Sequence, residues 1–431
     1  MALTPPSWSI TAFKVTGSSS RPVISYNIAS HKRATRPLRR SSHWQESGFL
    51  SLDNSFAGPF CGQLLGDHQV EPPSTGDPLR VWRELDIDGT SPWFRSLARN
   101  KKSIAIDLRK QEGREIVKRL AVKSDVIVEN FQAWKVSLAL EKWGLGPQEL
   151  HKENPSLIFT RVSGYGQTGP WASRPGYASV CEAEPNISLG DSVAGLHAAF
   201  GTSERQVLAL LSKQKKASRG EQGGETVDVS IMESMLNLME GIIPEYDRKG
   251  KIRGPSGSSV TGIVPTNAYP CLPLPSTPSS PTYIIIGANG DTLYARLMRA
   301  IGREDLIGAS YAHNHHRVAR QGEIEEAISA WTSQRQVEEG ASIPVGRVVG
   351  VKEIVESEQV KARGAVEDVE VGREGEGWKV KMPRVFPLLE GCDTKTRWAG
   401  PDLGAHTEEI LGELGLNIES IIRLREEGVI G

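Results

Sequence analysis

From residue 46 onward, short apolar runs alternate with amphipathic stretches, the pattern of strands joined by single helices. Phe49-Leu50-Ser51-Leu52 reads as a strand, and Ala57-Gly58-Pro59-Phe60 opens a helical stretch that continues from Cys61 to Asp67. Gly58 permits close backbone approach, and Pro59 suits a first helical turn, where its missing N–H costs nothing. Residues 103–108 alternate as a strand, and the next segment places Ile116, Val117, Leu120 and Ala121 on one helical face. Residues 125–130 form an apolar strand with a polar end, as in a sheet covered on both faces. A helix near Pro147–Glu153 and a strand at 157–162 complete the run. This succession predicts parallel βαβ units. In such sheets the polar residues beyond the strand C-termini line the ligand crevice. Here those are Glu129-Asn130-Phe131 and the glycine-rich segment 163–170, with Gly164, Gly166 and Gln167.

The texture changes near residue 225. Residues 225–230 alternate as a strand, and Ile231, Met235, Leu238, Met239 and Ile242 recur at helical spacing, predicting a core-facing stripe. Residues 253–281 are rich in Pro, Gly, Ser and Thr and read as loop. The strand 283–286 runs into Gly287-Ala288-Asn289-Gly290-Asp291 and a helix carrying Leu293, Leu297 and Ile301, which Asn289 or Asp291 could cap. A strand, a glycine turn and a helix N-terminus suit an anion. The stretch 372–377 predicts a solvated hairpin, and two helices close the chain near 407–414 and 418–427, with His406 in a structural role.

Composition narrows the classes. The 431 residues carry 51 Lys+Arg against 52 Asp+Glu, a net charge of −1, which speaks against a general nucleic-acid binder. No uncharged apolar run reaches the roughly 20 residues of a spanning helix. The charge is uneven: residues 1–45 hold seven cations and no acid, a composition shared by organellar transit peptides and disordered tails. Cys61, Cys181, Cys271 and Cys392 are widely spaced, which favours neither zinc nor a disulfide scaffold.

Taken together, several segments resemble the family III CoA-transferases, which include formyl-CoA and carnitine CoA-transferases and the related α-methylacyl-CoA racemases. The matching stretches run in order from residue 49: Ala57-Gly58-Pro59-Phe60-Cys61-Gly62-Gln63-Leu64-Leu65-Gly66-Asp67, Gly76-Asp77-Pro78-Leu79-Arg80, Asn100-Lys101-Lys102-Ser103 and Glu129-Asn130-Phe131. They continue with Ser163-Gly164-Tyr165-Gly166-Gln167-Thr168-Gly169-Pro170, Gly190-Asp191-Ser192-Val193-Ala194-Gly195 and Pro401-Asp402-Leu403-Gly404. The resemblance implies an α/β protein. Its large Rossmann-like domain would be built from both chain ends (46–220 and 341–431) around a parallel sheet, with a smaller central α+β domain at 221–340. It also implies an interlocked homodimer. The N-terminal composition and the scattered cysteines suggest the mitochondrial matrix or cytoplasm, and the near-zero net charge and the lack of a long apolar run suggest no nucleic-acid or membrane partner.

The implied chemistry moves CoA from an acyl-CoA thioester to a small carboxylic acid. An enzyme carboxylate forms a mixed anhydride and then an enzyme–CoA thioester. No metal and no permanently bound cofactor are needed, because CoA is itself a substrate. Backbone N–H groups in the loops 164–169 and 287–290 (Gly287, Asn289, Gly290) would face the oxyanion and exclude water. Arg80, Lys101 and Lys102 would bind the CoA phosphates, with Asn100, Asn130 and Phe131 along the same molecule.

The sequence also departs from the pattern. Ala178 stands where the resemblance leads one to expect the catalytic aspartate after Pro175-Gly176-Tyr177, so Glu182, one helical turn on, is expected to replace it, with Asp191 the second candidate. The second strand looks abbreviated to His68-Gln69, and segments near 131–140 and 183–186 look irregular. An acyl-CoA racemase, a catalytically inactive CoA-binding homologue and a misassembled gene model are the alternatives this leaves open.

Overall fold

Six parallel strands, most of them buried on both faces, make the central sheet. A computed structural model describes residues 48–53, 55–66, 68–131, 138–172, 174, 176, 187–215, 225–273, 282–336, 344–372, 377–388 and 395–431. The strands are β1 (Phe49–Ser51), β2 (His68–Glu71), β3 (Lys102–Ala105), β4 (Val126–Glu129), β5 (Ile158–Ser163) and β6 (Glu225–Ser230). Their order is β3-β2-β1-β4-β5-β6, the doubly wound arrangement, in which direction reverses between β1 and β4. The expected α/β class is therefore present. The second strand is also present: β2 pairs in parallel with both β1 and β3. It escaped the hydropathy reading because His68, Gln69 and Glu71 are polar, although Gln69 and Glu71 are buried.

The connecting helices are α1 (Ala57–Leu65), α2 (Pro92–Leu97), α3 (Gln111–Lys123), α4 (Leu138–Lys142), α5 (Pro147–Glu153) and α6 (Leu189–Lys215). One face of the sheet packs Phe49, Val126, Val128 and Val162 against Ala57 and Cys61 of α1 and Ala194 and Ala198 of α6. The opposite face packs Leu50, Ile104, Ile127 and Phe159 against Ile116, Val117 and Leu120 of α3. The end of the chain joins this second layer: Ile410, Leu411, Ile421 and Leu424, from helices Thr407–Glu413 and Ile418–Glu426, share its core. All six strands come from residues 49–230. The C-terminal end meets the sheet through a single antiparallel bridge, Ile106 to Ile430, rather than through a strand of its own.

A separate three-stranded antiparallel sheet joins β7 (Thr266–Cys271), β8 (Thr282–Gly287) and β9 (Val345–Arg347). Its core includes Val264, Tyr269, Ile284, Ile286, Leu297 and Ile324. β7 corrects the loop expected over 253–281: Tyr269 and Cys271 alternate inward while Pro270 between them is exposed. The hairpin expected around 372–377 is flanked by paired strands β10 (Val366–Val371) and β11 (Trp378–Pro383). The methionine stripe is a second correction. The helix from Ile231 ends at Asn237, Glu240 takes a positive φ of 47°, and Leu236, Leu238, Met239 and Ile243 are exposed. Among the described residues no helix is long and apolar enough to cross a membrane.

Candidate active site

Right-handed crossovers between parallel strands return every connecting helix antiparallel to the sheet, so α1 and α6 both begin at its carboxyl edge. They pack side by side on one face. A methyl group placed on Gly195 of α6 would stand 2.8 Å from the Ala57 carbonyl oxygen and 2.9 Å from the Phe60 ring. Asp191 lies in the first turn of α6, one turn toward the carboxyl edge from that contact and on the same helical face. The N-cap of α1 is Phe56, whose side chain makes no capping hydrogen bond. Asp53, at the exit of β1, is buried against this first turn, and a methyl group on Gly58 would meet its Oδ2 at 2.6 Å. The carboxyl edge at the β1/β4 reversal thus carries Asp53, the start of α1 and Asp191. Glu182, Tyr177 and Ala178 lie outside the described residues.

Beside this lies the exit of β4. Glu129 is fully buried; its Oε1 receives Arg161 Nε at 2.5 Å and its Oε2 receives the Phe131 N–H at 2.9 Å. Burial pushes the Glu129 carboxyl up, against the pull of Arg161. Phe131 packs partly into the core below. Asn130 stands between the two residues, at the crevice.

The loop after β5 is held by short polar contacts. Gly166 N donates to Ser163 Oγ at 3.0 Å, Gln167 N donates to Asp228 Oδ2 at 3.0 Å, and the Gly164 carbonyl accepts Met232 N at 3.1 Å. Gly166 and Gly169 take φ of 85° and 86°, the left-handed region that glycine enters freely. Gly164 passes so close to Gly176 that a methyl group would lie 2.7 Å from its Cα. The N–H groups of Gly166 and Gln167 thus bond Ser163 and Asp228 in this structure.

The 287–290 turn belongs to the other sheet. Gly287 N donates to the Pro344 carbonyl at 3.0 Å, and Arg317, fully buried, donates to the Asn289 carbonyl at 2.7 Å and to Asp291 at 2.9 Å. Gly290 itself is the N-cap of the helix Asp291–Ala300, in place of Asn289 or Asp291.

The expected phosphate ligands are engaged in the interior. Arg80 forms a two-pronged pair with Glu71, Nε to Oε2 at 2.7 Å and Nη2 to Oε1 at 2.8 Å, and stacks 3.9 Å from the Phe94 ring centre. Ser103 Oγ and Asp77 N complete the Glu71 shell. Lys101 is buried and donates to the Pro59 carbonyl of α1 at 2.8 Å. Arg80 and Lys101 therefore hold elements together in this structure. Lys102, at the surface, pairs with Glu409 at 2.6 Å. Asn100, with φ of 61°, accepts the Arg397 N–H at 2.7 Å and so secures the C-terminal segment. Among the described residues no cluster of His, Cys, Asp and Glu is arranged to hold a metal ion.

Asp77 is the residue of this network that composition gave no reason to single out. It accepts Leu79 N at 2.8 Å, Ser55 N at 3.2 Å and Gln69 Nε2 at 3.0 Å, tying the β1 exit to β2. Burial pushes its carboxyl up to about 6. The folded protein holds this proton more tightly than the unfolded chain, so stability falls as pH rises from near 4 to about 6 and then levels off. At pH 7 the cost reaches about 3 kcal/mol at most. Urea unfolding of wild type and Asp77→Asn at pH 4 and pH 7 should show wild type losing ground to the variant at the higher pH; a pH-independent difference refutes the assignment.

The comparisons with known proteins agree with this architecture. The family model CoA-transferase family III matches residues 49–407, and the chain belongs to that family. It is 37% identical to succinyl-CoA--D-citramalate CoA-transferase of Chloroflexus aurantiacus, over 93% of this chain and 100% of that one. It is 29% identical to human succinyl-CoA:glutarate CoA-transferase, over 88% of each. A CAIB/BAIF family protein from Brucella suis shares the fold, with a TM-score of 0.70 and 24% identity, over 85% of this chain and 98% of that one.

Proposed function

We propose that this CoA-transferase takes CoA from succinyl-CoA and passes it to a small dicarboxylic acid, with Asp191 as the carboxylate that carries the activated group. The donor is common to the relatives' names while the acceptor differs, D-citramalate in one and glutarate in the other. The observation that carries the nucleophile is the position of Asp191, in the first turn of α6 beside the first turn of α1. A carboxylate there is stabilised as the anion by its own helix terminus. On this reading no carboxylate is required at Ala178.

The Asp191 oxygen attacks the thioester carbonyl carbon, the C–S bond breaks, and CoA leaves as thiolate. The thiolate then attacks the aspartyl carbonyl of the anhydride and expels succinate, leaving an aspartyl–CoA thioester. The acceptor carboxylate repeats the sequence in reverse. Each step exchanges one activated acyl group for another, so no net proton or external energy is consumed. Exposed Phe200, Leu196 and Val207 on α6 fit cover by a second copy, and sedimentation at twice the chain mass would support that homodimer. The basic first 45 residues fit a mitochondrial address, which import into isolated mitochondria would test.

The function is tested by incubating the protein with succinyl-CoA and each of D-citramalate, L-malate and glutarate, and following the acyl-CoA products by chromatography. Appearance of one acceptor's CoA ester with equal release of succinate supports the reading. CoA binding without exchange for any acid overturns it.

A further inference from the structure

Arg161 sits on β5, two residues before its end, with neighbours on both flanking strands: Glu129 on β4 and Asp228 on β6 share its register. Paired residues of parallel strands project to the same face, so a negative–positive–negative row crosses three strands just below the carboxyl edge. Each end of the row holds a crevice loop. Glu129 accepts the Phe131 N–H and fixes the β4 exit turn, while Asp228 accepts the Gln167 N–H and fixes the loop after β5. The guanidinium in the middle also reaches Glu141 of α4 at 2.8 Å, joining the β4 exit to the helix that follows it. Its Nη2 is buried and meets no acceptor among the described residues. As a stabilising device this is poor, since a buried ion pair returns little over well-packed apolar residues. As a device for fixing positions it is effective: two donors of one rigid fork hold Glu129 and Glu141, and Glu129 in turn accepts the Phe131 N–H of the exit turn.

We propose that Arg161 and Glu129 are positioning residues, which set the Asn130–Phe131 turn against the bound CoA thioester without touching the reacting atoms. The inference rests on the proposed CoA-transfer reading of the crevice. It predicts a fault in thioester binding, with the chemical step and the acceptor acid little affected.

The test measures kcat and both KM values for wild type, Arg161→Lys, and the double variant Glu129→Gln/Arg161→Met, in which neither charge remains to be buried alone. For the double variant the expected rise in KM for succinyl-CoA is roughly tenfold to a hundredfold, with kcat and the acceptor KM within about threefold. Arg161→Lys, which keeps the charge but has no fork, should fall between it and wild type. Calorimetric affinity for CoA should weaken in the same order. A double variant that folds and binds CoA within twofold of wild type overturns the inference. So does an Arg161→Lys variant that binds CoA as wild type does. Absence of exchange in the wild type would instead sink the CoA-transfer reading, and the calorimetric arm would still read the positioning.

Discussion

Asp191→Ala should lower CoA transfer by roughly a thousandfold or more while leaving the chain folded, because the step it removes is covalent and no solvent molecule can replace it. The residue is partly exposed at a helix start, where truncation opens no core cavity. Its circular dichroism and melting temperature should therefore stay near those of wild type, and so should its affinity for CoA. Asp191→Asn should be equally inactive, since an amide keeps the shape but cannot carry CoA. Wild-type rates in either variant, measured as succinate release with each acceptor, would remove Asp191 from the mechanism.

The largest effect on stability is expected at Glu71. Its carboxylate is buried and holds Arg80 by both prongs, the Ser103 hydroxyl and the Asp77 N–H. Glu71→Ala leaves Arg80 as an uncompensated interior cation and should cost about 3–5 kcal/mol in urea unfolding. The double variant Glu71→Gln/Arg80→Met should recover most of that loss, because it takes both charges out of the interior. The loss should also reach the crevice, since Arg80 Nη1 bonds the Pro401 carbonyl and Ser103 Oγ receives the Gly404 N–H, joining the C-terminal segment to β2 and β3. A cost below about 1 kcal/mol for the single variant would show that water reaches the pair and screens it.

The strands that were legible in the sequence are those with continuous apolar runs. β4 and β5 are buried on both faces and read clearly, as does the inward face of α3. β2 was hidden because two of its three buried positions carry Gln69 and Glu71, whose partners lie outside the strand at Asp77 and Ser103. Hydropathy records polarity, and it cannot record that the polarity is satisfied. β7 was hidden by Pro270, which an edge strand tolerates because its missing N–H costs no ladder bond on the open side. The crevice loops were legible from their glycines, but what their N–H groups bond was not.

The cations illustrate a simpler limit. Lys101 and Lys102 adjoin in the sequence, and neighbouring residues of an extended chain point to opposite sides, which spacing alone does not record. One turns inward to Pro59, the other outward to Glu409. Asp191 was visible in the sequence as part of Gly190-Asp191-Ser192, but its distance from the first turn of α1 depends on the packing of two helices separated by more than a hundred residues.

The most direct measurement is borohydride trapping after incubation with succinyl-CoA, followed by digestion and peptide mass spectrometry. An enzyme–CoA thioester at Asp191 is reduced to an alcohol, so the peptide spanning residue 191 should lose the mass of one oxygen and gain two hydrogens, and only when the thioester was present. Reduction at Glu182 instead, with residue 191 intact, would contradict the account.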